Sequence, residues 1–175
     1  MKRHGREKHV VDTNVIVIAN KKNDVSYSCT NNCVQALLNI KRFGVVVVDE
    51  SGLILEEYRT NCSRFGQPGV GNAFVRWIYD NLGRTDLVEK IALTPRTEPP
   101  RDYEEFPEHP DLADFDPSDQ KFVAVANKHP AKPVILQALD SKWWGWKDGL
   151  ANSGITVRFL CPDEIQATYR RKMKR

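Results

Sequence analysis

His9-Val-Val-Asp12-Thr-Asn14-Val-Ile-Val-Ile18 is the stretch whose reading decides the fold of this chain. A short apolar run, His9 to Val11, closes on Asp12, and a second, Val15 to Ile18, opens just after it. A carboxylate at the end of a buried strand cannot be a solvated surface charge. It needs hydrogen bonds, a cation or a strongly shifted pKa. In parallel α/β sheets, ligands bind beyond the carboxyl ends of the strands. The pattern recurs far downstream, where Pro133-Val-Ile-Leu-Gln-Ala-Leu139 reads as a strand with Asp140 just past its end. Two strand-end acids, with further acids on helices between them, point to a hard metal ion held by carboxylates. An Asp after a strand also caps the next helix or makes an Asx turn, so that reading of Asp12 stands beside the metal one.

Working outward, strands and helices alternate. His9 to Val11 is predicted as a first strand, and Cys29 to Phe43 as a helix, with Val34, Leu37, Leu38 and Ile40 at helical spacing and Gly44 as its stop. Val45 to Val48 is a β-branched run and so a buried strand. Ser51 to Cys62 reads as a helix with Ser51 as N-cap and Leu53, Ile54 and Tyr58 facing inward. After a break at Gly66, Pro68, Gly69 and Gly71, Asn72 to Leu82 reads as another helix, and Leu87 to Leu93 as a third strand. A helix that Asp116-Pro117-Ser118-Asp119 starts, running through Ala126, and a fourth strand from Val134 to Leu139 follow. A short helix around Lys147 to Ala151, a fifth strand from Ile155 to Leu160 and a last helix from Glu164 to Lys172 complete the chain. Such alternation predicts a single α/β domain with a central, mainly parallel sheet flanked by helices, and with the strand-end acids on one edge.

Residues 94 to 117 break the rhythm. Six prolines and many acids make a long irregular excursion, and loops of this length inside a domain are usually functional or mobile. Asp116-Pro-Ser-Asp119 ends it in a helix-start pattern, with Asp116 as the cap. Leu53-Ile-Leu-Glu-Glu-Tyr58 places adjacent glutamates in an amphipathic helix. Adjacent residues lie ~100° apart, so one leans toward the apolar face. Glu57 follows Ile54 by three and is the expected one, with Glu56 as its competitor.

Four pieces in order resemble the PIN domain, a nuclease family with a small α/β fold. Val10-Val-Asp12-Thr-Asn14 resembles its opening strand and first acid, and Ile54-Leu-Glu-Glu57-Tyr-Arg59 its glutamate helix. Asp119-Gln-Lys-Phe-Val-Ala-Val-Ala126 resembles the third acid before an alanine-rich helix, and Ala138-Leu-Asp140-Ser-Lys-Trp143 the late strand ending in an acid. The resemblance spans residues 9 to 160. It implies a metal-dependent endonuclease in which Asp12, Glu57, Asp119 and Asp140 hold Mg²⁺ or Mn²⁺, with single-stranded RNA as substrate ahead of DNA. It also leaves room for an inhibitory protein partner, such as an antitoxin, and for a homodimer. The chain departs from a compact member in its acidic, proline-rich excursion and in the aromatic run Trp143-Trp144-Gly145-Trp146.

Composition agrees with a globular chain of 175 residues, 28% charged and 41% hydrophobic. No apolar run approaches the ~20 residues of a membrane span, and no signal-like stretch precedes Asp12, so the expected location is the cytoplasm. Cys29, Cys33, Cys62 and Cys161 show no zinc spacing and read as reduced, mostly buried thiols. Glu98 to Asp119 holds nine acids and one base, whereas Arg170 to Arg175 holds five bases in six residues. The basic end is expected to gather phosphates through Arg170, Arg171 and Lys172, or else to end a helix favourably. Trp143 is expected either to stack on a base or to pack a hydrophobic corner. Among other acid-at-strand-end designs, a haloacid-type phosphatase wants a second Asp two positions after Asp12, where Asn14 stands. A receiver domain wants an acidic pair and a late lysine in a set that the chain lacks. A PIN-like scaffold without activity is the remaining alternative.

Overall fold

The computed structural model describes residues 5–21, 24–62 and 69–174. Gly66, Pro68 and Arg175, named above, lie outside them. Five strands form one all-parallel sheet: β1 (Glu7–Val11), β2 (Gly44–Asp49), β3 (Val88–Ile91), β4 (Val134–Gln137) and β5 (Val157–Phe159), in the order β3-β2-β1-β4-β5. Seven α-helices flank it among the described residues: α1 (Thr13–Ala19), α2 (Tyr27–Phe43), α3 (Leu53–Asn61), α4 (Val70–Asp80), α5 (Gln120–Lys128), α6 (Ser141–Asn152) and α7 (Pro162–Met173).

The order follows from hydrophobic patterning. All six residues of β2 are buried, as a strand covered on both faces requires. From β1 the chain steps outward to β2 and β3, then returns across the sheet through α5 to β4 on the other side of β1. Right-handed crossovers then place α1 to α4 on one face and α5 and α6 on the other. The neighbours β1 and β4 leave the sheet in opposite topological directions, and their carboxyl ends bound the crevice where such sheets bind ligands. One continuous core runs from Val10 and Ile16 through Tyr58 and Phe74 to Phe122 and Trp143. Gly71 lets α4 approach α1 closely, because a Cβ there would stand 2.1 Å from the Ile16 carbonyl oxygen.

Several local expectations are corrected. The N-cap of α3 is not Ser51: the Asp49 carboxylate accepts the Leu53 and Ile54 amides at 2.8 Å each, and Gly52 takes the left-handed turn (φ 85°). Leu53 is 47% exposed, while Ile54, Leu55 and Tyr58 face the core. The helix predicted around Lys147 instead begins at Ser141 and runs twelve residues. Gly149 allows Leu112 to pack close, since a Cβ there would lie 3.1 Å from a Leu112 methyl. The excursion is a packed wall. Phe106, Leu112 and Phe115 are buried, and Phe115 meets Trp143 and Trp146 at ring distances of 5.2 and 4.3 Å. The side chain of the buried Gln120 ties its backbone down at Pro100 and Asp102.

Cys29 and Cys161 are joined as a disulfide, against the expectation of four reduced thiols; Cys33 and Cys62 are free. The pair lies 132 residues apart, a separation that no local spacing reveals.

Candidate functional site

The three expected aspartates are each set by an element end, and Glu57 lies inside α3. Asp12 is the N-cap of α1: its backbone is extended, and Oδ1 accepts the Asn14 amide at 2.8 Å. The capping reading therefore holds, and the same carboxylate is only 5% exposed. Asn14 does more than follow it, because its Oδ1 accepts the Leu139 amide at 2.7 Å and so pins the end of β4 to the start of α1. Asp140 is likewise the N-cap of α6, accepting the Lys142 amide at 3.0 Å. Asp119 closes the single 3₁₀ turn Pro117–Asp119, which Asp116 caps, and leads into α5. Its Oδ2 accepts the Trp143 indole N–H at 3.1 Å. Glu57 and Glu56 point apart as their helical offset demands. Glu57 accepts the Thr13 hydroxyl at 2.6 Å, whereas Glu56 is exposed and pairs with Arg59.

These acids feel one another. Burial pushes the Asp12 carboxyl well up, and the charges of Asp119, Glu57 and Asp140 push it further against the Asn14 amide. Burial likewise raises Asp119 to about 6, with Asp140, Asp116 and Glu57 adding to the effect and the Trp143 indole opposing it. Asp116 differs: its bond from Ser118 and then its pairing with Lys142 hold it below the usual range.

Lys121 carried no role in the sequence reading. It is 8% exposed, lies over the Phe122 ring, bonds the Ser118 carbonyl, and its Nζ stands 2.5 Å from Glu57 Oε2. Its signal was a lysine two residues after Asp119, directly before the apolar run Phe122 to Ala126. Gln137 was missed as well. Its Oε1 accepts the Ala138 amide and, at 3.4 Å, that of Asp140, so it shapes the turn that presents Asp140.

The donor set suits a hard cation in its chemistry. Asp12, Asp119 and Asp140 each use one oxygen for a positioning hydrogen bond, and the other oxygen of each makes none among the described residues. The four carboxylates do not form a closed nest. Among the described residues, the group whose ligand atoms all lie within 4.8 Å is Cys29, Cys33 and Cys161. Uncompensated anions stand apart by repulsion, and Lys121 already neutralises Glu57.

Of the expected nucleic-acid contacts, one turns away from solvent and the others lie on the helix predicted for them. Trp143 is 0% exposed, so it packs the wall behind Asp119 and offers no face to a base. Arg170, Arg171 and Lys172 form the last turns of α7, as the predicted helix from Glu164 to Lys172 required. All three are exposed, and Lys172 Nζ reaches Ser141 Oγ at 2.9 Å, beside Asp140.

No protein-family model, curated protein or solved structure matches this chain.

Proposed function

We propose that this protein is a divalent-metal-dependent endonuclease of PIN-like design, acting on single-stranded RNA ahead of DNA. The observation that carries the reading is the electrostatic load on Asp12. A buried carboxylate, placed where the sheet changes direction, bears the charges of Asp119, Glu57 and Asp140 together. Stability alone does not favour that convergence, since each acid raises the cost of ionising the next. A cation makes the same convergence favourable.

Asp12, Asp119 and Asp140 would hold Mg²⁺ or Mn²⁺, with Glu57 joining once Lys121 releases it. When bound, the ion supplies an activated water and charge stabilisation for phosphodiester hydrolysis. The chain's own residues do the positioning. Asn14 and Trp143 fix one oxygen each of Asp12 and Asp119 and leave the second available to the ion. Thr13 orients Glu57. Lys142 and Lys172 flank Asp140 with positive charge, which draws a phosphate backbone toward the acids.

Labelled single-stranded RNA, single-stranded DNA and duplexes, incubated with Mn²⁺ with and without chelator, test the reading. Cleavage of single-stranded RNA that vanishes with chelator and in Asp12→Asn is expected; chelator-resistant cleavage overturns it. The Lys121–Glu57 ion pair favours a second reading, a metal-independent scaffold that binds nucleic acid, an antitoxin-like protein or a second copy. In that case Mn²⁺ leaves the melting temperature unchanged, whereas a live site is stabilised.

Among the described residues no helix is long and apolar enough to cross a membrane. We place the protein in the cytoplasm on its sequence. A standing disulfide is unusual there, so the redox state of Cys29 and Cys161 in cells tests that placement.

A further inference from the structure

Three sulfurs converge where the starts of α2 and α7 meet. Cys29 and Cys33 lie one turn apart on α2, and Cys161 is the N-cap of α7. All three are buried, and their sulfurs lie within 4.8 Å of one another. The junction is locked around them. Ser26, the N-cap of α2, bonds both the Cys29 amide and the Glu164 carboxylate of α7, and Asn32 donates to the Leu160 carbonyl at 2.9 Å. A disulfide uses two of these sulfurs and leaves Cys33 without a part. A soft divalent cation uses all three.

We propose that, in the reduced protein, Cys29, Cys33 and Cys161 are thiolate ligands of a Zn²⁺ site that staples α7 to α2. The geometry is close to what zinc takes: Zn–S bonds of ~2.3 Å in a tetrahedron set sulfurs ~3.8 Å apart, reached by small side-chain rotations from the present spacing. Helix ends favour negative charge at two of the three sulfurs, whereas burial and the Glu164 carboxylate push the Cys33 thiol up to about 12, so the cation must displace that proton. Cys29 sits in the first turn of α2 and Cys161 caps α7, so two helix N-termini face the thiolates. Glu164 closes the junction through Ser26 but lies outside the sulfur group, which leaves the fourth position of the tetrahedron to water. The long separation hid the site from the sequence, because Cys29 and Cys33 have no second nearby pair and their partner lies 128 residues beyond Cys33.

The disulfide and the zinc site are two states of one staple. Reduction by a dithiol carries two electrons and two protons onto Cys29 and Cys161 and leaves the dithiol oxidised to a disulfide. Zn²⁺ then takes the three sulfurs as thiolates and displaces three protons to solvent.

Co²⁺ is the probe. The full chain, reduced with a trialkylphosphine and kept anaerobic, is titrated with Co²⁺. One equivalent is expected to give a thiolate-to-cobalt charge-transfer band and the strong visible bands of a tetrahedral site, both abolished by added Zn²⁺. Oxidised protein should lack them, and reduced Cys33→Ala should bind at least about tenfold more weakly. Absence of the charge-transfer band in reduced wild-type protein overturns the proposal, as does an undiminished band in Cys33→Ala. Melting of the oxidised variant checks that it folds. Should it not fold, wild-type protein followed through reoxidation decides instead: the band must disappear as the disulfide forms, and its persistence overturns the proposal. Asp12→Asn must keep the band, since carboxylates give no thiolate transition; failure of the nuclease reading therefore leaves this result untouched.

Discussion

Asp12 combines two roles that usually compete. It caps α1 as any strand-end Asp might, and it sits buried among like charges. Asp12→Asn keeps the capping acceptor and removes the charge. It is expected to lower cleavage by at least ~100-fold, the upper range for even indirect metal partners, and to raise the melting temperature in chelator. Glu57→Gln should be similarly damaging and Glu56→Gln nearly silent, because only Glu57 bonds Thr13 and Lys121; parallel rate measurements on the two variants check this. Asp119 carries the pH dependence. Its folded carboxyl titrates at about 6 against an ordinary 3.8, so between those values the folded chain holds a proton that the unfolded chain has lost. Its contribution thus favours folding in acid and is lost as pH rises through about 6. Burial of His9 pushes that imidazole down and acts in the opposite sense. Melts of wild type and Asp119→Asn in chelator, at about pH 5 and about pH 7.5, read the contribution of this carboxyl together with its push on Asp12. The variant should gain stability relative to wild type at the higher pH, and Mn²⁺ should erase the difference by stabilising wild type alone.

At the scale of elements, α6 and the acidic excursion form one unit through Trp143. Trp143→Ala opens a cavity against Phe115 and removes the indole from Asp119. It is expected to cost ~3–5 kcal/mol in denaturant unfolding. Trp143→Phe keeps most of the packing, yet it should raise the Asp119 pKa, because the missing hydrogen bond favoured the ionised form. The end of α7 is a second testable element. Removing Arg170 to Arg175 takes away the exposed cations that follow Gln166, including Lys172 beside Ser141. Binding of unrelated single-stranded RNAs should weaken about equally, and the salt slope should fall by ~0.7 for each phosphate that the shortened helix no longer neutralises. Affinity curves at two salt concentrations check it, and an unchanged slope would remove α7 from the nucleic-acid surface.

At the scale of the whole molecule, alternation of apolar runs determined the parallel α/β sheet, because strand and helix periods are written locally in side-chain spacing. Val45 to Val48 could be little other than a buried strand, and Asp12 and Asp140 had to fall at strand ends. The helix offset put Glu57 and Glu56 on different faces and favoured Glu57 as the inward one. Only the tertiary structure decided what depends on distant residues meeting. Trp143 turned inward because Phe106 and Phe115, brought back by the excursion, bury its ring against Asp119. Asp49 displaced Ser51 as the cap of α3 because the turn at Gly52 aims its carboxylate at two free amides. Lys121 entered the acid site because α5 crosses back over the sheet and delivers it to Glu57 on α3. Cys161 met Cys29 and Cys33 for the same reason, with the strand order setting α7 beside α2. Spacing along the chain fixes which face a residue takes, but which faces meet is fixed by the crossovers, and charge pairing and sulfur clustering depend on that meeting.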